Sequence, residues 1–149
     1  MNRNTDFLIN IRRIIKLHEL MLKDICNNYQ LTIIEATIIS FLYNNPGKDT
    51  AADIVELRML SKGNVSQAVE SLIQKSLLKR EQDKEDRRKI HLSLTLNSEP
   101  ITKSIEDVGK QFHEEIFSGL TLEEQDIYDR VNHHIMENTR KAMARREKA

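Results

Sequence analysis

Between Ser61 and Lys75 the sequence sets short amides and hydroxyls, Asn64, Ser66, Gln67 and Ser71, beside two bases, Lys62 and Lys75. Such groups donate and accept hydrogen bonds from one helix face, the chemistry that reads base edges and holds phosphates on a duplex. Gln67 carries the amide suited to adenine. Asn64 and Ser66 suit bases or backbone, and Ser61, Lys62 and Lys75 suit phosphates. A second cluster, Gln82-Asp83-Lys84-Glu85-Asp86-Arg87-Arg88, follows within a few residues. There Arg87 suits a minor groove, whose negative potential attracts guanidinium, and Lys84 a phosphate. Arg88 is either a further DNA contact or the partner of Asp86 in bracing the segment. Taken alone, the first cluster is equally the solvated face of an ordinary helix, and composition by itself favours that plainer reading.

Charge is segregated along the chain. The 149 residues hold 23 Lys+Arg and 23 Asp+Glu, a formal net charge of zero. Yet nine bases face five acids between Arg58 and His91, an excess of four that the remainder of the chain balances. Distribution, more than the sum, decides whether a polyanion is attracted. Other chemistry is thinly supplied. No Gly-rich phosphate loop, Ser/His/Asp arrangement or carboxylate pair set for acid–base work is present, so an enzyme is not expected. The single Cys, Cys26, excludes an internal disulfide framework and a Cys-based zinc ribbon, and reads first as a small half-buried hydrophobe. Adjacent His133 and His134 point about 100° apart on a helix, not the i, i+4 pair that zinc prefers, so no metal or cofactor is expected. With no clear signal peptide and no apolar run long enough to span a bilayer, the expectation is a cytoplasmic protein without a membrane partner.

The elements that must position these residues are well punctuated. Apolar residues recur three and four apart from Leu8 to Ile25, with a second row at Phe7, Ile14, Leu17 and Met21, which predicts a long helix with a broad apolar face. Thr32–Glu35 has the capping-box pattern and opens a second helix that stops at Asn44-Asn45-Pro46-Gly47. Thr50 and Ser61 cap a short third helix and a fourth, the latter burying Val65, Ala68, Val69, Leu72 and Ile73. The period then changes to two: Leu77–Glu81 and Lys89–Leu94 read as strands around the charged tip. Pro100 introduces a fifth helix and Gly119 ends it. Thr121 caps a sixth with a basic end.

Two short helices followed by a charged β-hairpin describe a winged helix-turn-helix. The predicted fold class is therefore mainly α with a small β-hairpin wing, a winged core flanked by long N- and C-terminal helices. The winged region is placed at residues 32–96 and the flanking helices at 5–28 and 99–147 of one continuous 1–149 chain. So small a core cannot cover the apolar flanking helices, which predicts packing against a second copy as a two-fold dimer.

At this point the sequence resembles the MarR family of winged-helix transcriptional regulators over essentially its whole length. Leu60-Ser61, Val65-Ser66 and Leu77-Leu78-Lys79-Arg80 stand where that family has its turn, the start of its recognition helix and its entry to the wing. Asp83, Asp86 and Arg88 match the wing-tip pattern, while Glu85 stands in place of its first Arg. The resemblance implies a homodimer that presents paired winged domains to a pseudo-palindromic double-stranded DNA, most commonly as a repressor. It also implies release by a small-molecule effector or by oxidation. A pocket where the first helix meets the second and fifth would then involve His18, Met21, Tyr43 and Phe112. Cys26, near the end of its helix, is a poor positional match to the family's peroxide-sensing cysteines. Two alternatives stay open: a winged helix that binds protein in place of DNA, and a redox-sensing regulator acting through Cys26.

Overall fold

The computed structural model describes residues 1–148. Its elements run α1 (Arg3–Tyr29), α2 (Ile33–Asn44), α3 (Ala51–Arg58), α4 (Lys62–Gln74), β1 (Leu78–Gln82), β2 (Ile90–Leu94), a 3-10 turn (Leu96–Ser98), α5 (Glu99–Ile116) and α6 (Leu122–Glu147). The mainly helical fold with a two-stranded wing is as the sequence predicts. No helix of the described residues is long and apolar enough to cross a membrane.

Local chemistry sets the helix starts. Thr32, Thr50 and Thr121 each accept a bond from the amide three residues on, and Glu35, Asp53 and Glu124 reach back to the cap amide. Each reciprocal pair satisfies two backbone donors that the first turn would otherwise leave open. Ser61 caps α4 through the Asn64 amide at 3.2 Å. Strand limits differ by one residue from the alternation pattern. The 3-10 turn before α5 has no periodic signature, being closed by the Ser98 amide donating to the Thr95 carbonyl.

The chain forms two compact units, Met1–Phe112 and His113 onward. In the first, α2 lies at the centre: Glu35 to Phe41 are all buried. Leu22 and Ile25 of α1, Ile54 of α3, Val65 and Leu72 of α4, Leu78 and Leu92 of the hairpin, and Ile101 and Ile105 of α5 close around it. In the second, His113 stacks on Phe117 and Phe117 meets Tyr128 edge-on, with ring centroids 4.7 and 5.4 Å apart. Those contacts and a 3.1 Å bond between His113 and Gln125 fix the corner at Gly119, whose φ of 82° favours glycine. No residue of α6 is buried.

The hairpin is joined to α4 by a left-handed residue, Ser76, with φ of 61°. Its amide donates to the Ile73 carbonyl and that of Leu77 to Leu72, while the buried Leu77 and Leu72 side chains close the apolar side of the turn. This is a Schellman exit from the helix with serine where glycine is usual. Strand pairing is antiparallel, with Leu78 opposite Leu94, Arg80 opposite Leu92 and Glu81 opposite His91.

Candidate nucleic-acid interface

At about 100° per residue, α4 places Gly63, Gln67 and Glu70 on one row, with Asn64 and Ser66 flanking it. All five are exposed, as are Ser61 and Lys62, while Val65, Ala68, Val69 and Leu72 face inward. The exposed face thus offers hydrogen-bonding groups of both senses on a rigid helix. Gly63 carries no side chain that marks it in the sequence as part of this face. A Cβ built there meets nothing within 4 Å, so the chain's own packing does not require glycine.

Two residues expected on that face are turned elsewhere. Ser71 is half-buried and its hydroxyl donates to Glu35 Oε2 at 2.8 Å. Lys75 Nζ donates to both Glu35 oxygens, at 3.2 and 3.1 Å, and to the Gln30 carbonyl at 2.8 Å. An ammonium has three donors and here all three are engaged. The physical reason is Glu35: its carboxylate is buried, and a buried charge must be compensated. Burial pushes the Glu35 carboxyl up, but the Thr32 amide, the Ser71 hydroxyl and Lys75 outweigh it and hold it below its ordinary value. These two side chains hold the end of α4 against the start of α2, where their donors are engaged by Glu35 and Gln30. Glu70, by contrast, is exposed on the outer row and pairs with Arg80 of β1.

The wing tip is ordered by one carboxylate. Asp83 Oδ2 accepts from the amides of Glu85 and Asp86, at 2.9 and 2.8 Å, and Asp83 Oδ1 meets His91 Nε2 at 2.7 Å. The His91 ring reaches on to Asp49 Oδ1, also at 2.7 Å, and the Leu92 amide donates to the Asp49 carbonyl at 2.8 Å. The hairpin is therefore tied to the loop between α2 and α3. His91 is held above its ordinary value by its bonds to Asp83 and Asp49, and Asp83 is held well below the usual carboxylate range, chiefly by His91. Beyond this hub Lys84, Glu85, Arg87, Arg88 and Lys89 are all exposed. Arg88 makes one long contact with Asp86, at 3.5 Å, whereas the Arg87 guanidinium pairs with none of the described residues.

The four residues expected to share a pocket are divided. His18 and Phe112 meet edge-on at 4.9 Å. His18 lines a cavity of about 160 Å³ with Thr37, Ser40, Phe41, Asn44 and Arg58. Burial, then the nearby Arg58 charge, lowers its pKa and favours the neutral ring. Tyr43 instead donates to Glu106 at 3.1 Å and opens onto a separate cleft of about 580 Å³ at the start of α5. Met21 lines neither. A third groove, of about 470 Å³, runs between α3, α4 and the hairpin, with Val55, Val69 and Leu92 in its floor and Lys62, Ser66 and Arg80 on its edge.

Cys26 is half-buried and its thiol lies 3.7 Å from the Thr32 carbonyl. Burial first, and then the Glu35 charge, raise its pKa, so the reactive thiolate is disfavoured.

A recognition helix with a polar outer face, followed by a basic-tipped hairpin braced to the same domain, defines a winged helix-turn-helix protein. Residues 29–89 match the family model described as MarR family. Its fold is similar to that of a MarR protein from Peptoclostridium difficile, at 18% identity and a TM-score of 0.76 over 92% of this chain and 89% of that one. A MarR-family transcriptional regulator from Silicibacter pomeroyi is similar at 18% identity and a TM-score of 0.75, over 90% and 88%. A Listeria monocytogenes protein described as a MarR-family transcriptional regulator, in complex with a 26mer DNA, is similar at 15% identity and a TM-score of 0.74, over 93% and 89%. No curated protein sequence matches the chain.

Proposed function

We propose that the protein is a sequence-specific DNA-binding transcriptional regulator that acts as a homodimer, represses by occupying a pseudo-palindromic operator, and is released by a small-molecule effector. The observation that carries this reading is the joint exposure of Gln67, Asn64 and Ser66 on α4 and of Lys84 and Arg87 on a braced wing. The first set suits base edges in a major groove and the second suits phosphates or a minor groove. The DNA-bound Listeria relative supports the same use of the fold.

The dimer reading rests on apolar surface that a single chain leaves bare. Phe7, Leu8, Ile11 and Ile15 are exposed along α1, and Ile127, Val131 and Ile135 recur four apart along an α6 with no buried residue. Helices of that kind are stabilised mainly by packing an apolar face. An effector in the groove beneath α4 would share Lys62 and Ser66 with the duplex, and its volume lies in the range of small-molecule sites. The His18 cavity is below that range.

Fluorescence anisotropy tests the reading directly, with DNA from upstream of the protein's own gene beside a scrambled duplex, at about 50 and 200 mM salt. Preference for the upstream duplex that survives the higher salt is the expected result. Absence of binding to either duplex at low salt would favour a protein-binding winged helix.

A further inference from the structure

We propose that His91 is a positioning residue for the wing, and that a proton on its ring sets how firmly the hairpin tip is held for DNA. The consequence for DNA rests on the function proposed above; the geometry does not. Nδ1 lies 2.7 Å from Asp49 Oδ1 and Nε2 lies 2.7 Å from Asp83 Oδ1. A neutral imidazole has one N–H and one lone pair, so it donates to only one of two carboxylates. Its second nitrogen would then face a carboxylate oxygen lone pair to lone pair. Only the imidazolium, donating from both nitrogens, satisfies both contacts as they stand.

The same Asp83 carboxylate organises the tip through the Glu85 and Asp86 amides. A continuous link therefore runs from Asp49, through the ring and Asp83, to the turn that carries Lys84 and Arg87. The backbone bond from the Leu92 amide to the Asp49 carbonyl holds the root of the strand whatever the pH. Loss of the ring proton frees one carboxylate and lets the tip move against that root. DNA must then order the tip on binding, which costs affinity.

The charges facing the ring are few. Asp49 comes from the α2–α3 loop and Asp83 from the wing, and Glu81 stands opposite His91 in the strand ladder. Lys79, two residues before Glu81, is the cation on that face of the ladder. From α2 and α3, which pack on β2, Glu35 is committed to Lys75, Tyr43 to Glu106 and Asp53 to the Thr50 amide. Glu56 and Arg58 make no ion pair with the described residues. The two aspartates thus dominate, and both favour the proton. The bracing is fully present below the ordinary histidine value of 6.5 and is lost as the pH climbs through the raised value in the folded chain.

The test follows two readouts on the full chain. NMR of the His91 ring and of the 84–89 amides is recorded against pH without DNA, and anisotropy is measured over the same range with the upstream and scrambled duplexes. The ring is expected to titrate above its ordinary value, with the tip amides losing order through that transition. Affinity is expected to fall through it by up to about tenfold per pH unit, the limit for one linked proton. His91→Gln should flatten that part of the profile. Asp49→Asn, which keeps the Asp83 contact, should lower the ring's pKa and make the profile shallower. Tip amides indifferent to the His91 transition overturn the proposal, as does an affinity profile identical in His91→Gln. If the tip orders with the proton but no duplex binds at any pH, the wing brace stands and the DNA-binding reading fails.

Discussion

Lys75 Nζ lies 3.1 Å from Oε2 of Glu35, a carboxylate only 2% exposed, and so fastens the end of the recognition helix to the start of the central helix. Ser71 and the Thr32 amide complete the cage around that carboxylate. The contact joins the end of α4 to the start of α2 and engages the ammonium of a base that lies beside the exposed polar face of that helix.

Lys75→Met keeps the aliphatic stem and removes the counter-charge. It should lower stability by about 1–3 kcal/mol, less than the roughly 3–5 kcal/mol for breaking a fully buried pair, because Lys75 is itself one-third exposed. The sign of the acid dependence follows from the depressed Glu35 pKa. Its stabilisation is complete above the ordinary carboxyl value of 4.5 and is lost as the pH falls through the lowered one. In Lys75→Met, where the Glu35 carboxyl is less depressed, that acid loss should be smaller and should end at a higher pH. Urea melts between pH 3 and 7 measure both effects, and an unchanged midpoint across that range would remove Glu35 from the stability account.

Gly63 offers a separation of stability from binding. Its alanine variant places a methyl group into open space on the outer row of α4, beside Gln67. Alanine in a helix is favoured over glycine by about 0.5–1 kcal/mol, so the melting temperature should rise. Affinity for the operator should fall, because the same methyl group stands where a duplex would approach. Calorimetry and anisotropy on one preparation decide the matter, and a stabilised variant that binds as well as the parent would show that Gly63 lies outside the contact.

Arg87 is an exposed guanidinium of the wing tip that pairs with none of the described residues. Replacing it by alanine should weaken binding to upstream and scrambled duplexes alike and reduce the slope of log affinity against log salt by about one. Gln67→Ala should behave differently. It should cost about 1–3 kcal/mol of discrimination at one base position while leaving the salt slope in place. Equal salt slopes in Arg87→Ala and the parent would take the wing out of the phosphate contact.

The parts of the molecule legible in the sequence are those written locally. Thr32 with Glu35, Thr50 with Asp53, and Thr121 with Glu124 are three residues apart, so each cap is visible as a pattern and present as a pair of bonds. The alternation of Ile90, Leu92 and Leu94 likewise marks a strand. What escaped is set by separations no local pattern spans. Lys75 and Ser71 have the residue types of a DNA contact, and only the arrival of Glu35 from 40 and 36 positions away claims them. His91 reads as an unremarkable strand residue until the α2–α3 loop brings in Asp49 from 42 positions away. Ser76 hides a left-handed helix exit because serine rarely takes that conformation. The pocket that the resemblance implies for His18 and Tyr43 has no local signature, and Tyr43 turns to Glu106, 63 positions away.

The exposed row Ile127, Val131 and Ile135 on α6 makes the strongest physical claim for a second copy of the chain. A 26-residue helix with no buried residue gains little from its own chain, whereas three branched apolar side chains four apart form a stripe that water disfavours. Covering one such side chain contributes about 1.5–3 kcal/mol, so introducing a charge in its place opposes association strongly. Val131→Asp should therefore convert a dimer to a monomer in sedimentation velocity while the first unit keeps its helical signal. Because two half-sites must be engaged at once, operator affinity should drop by orders of magnitude, while weak, salt-sensitive binding by the single domain persists. A Val131→Asp chain that sediments as a dimer would place the association surface elsewhere, with the bare face of α1 at Leu8, Ile11 and Ile15 the next to be charged.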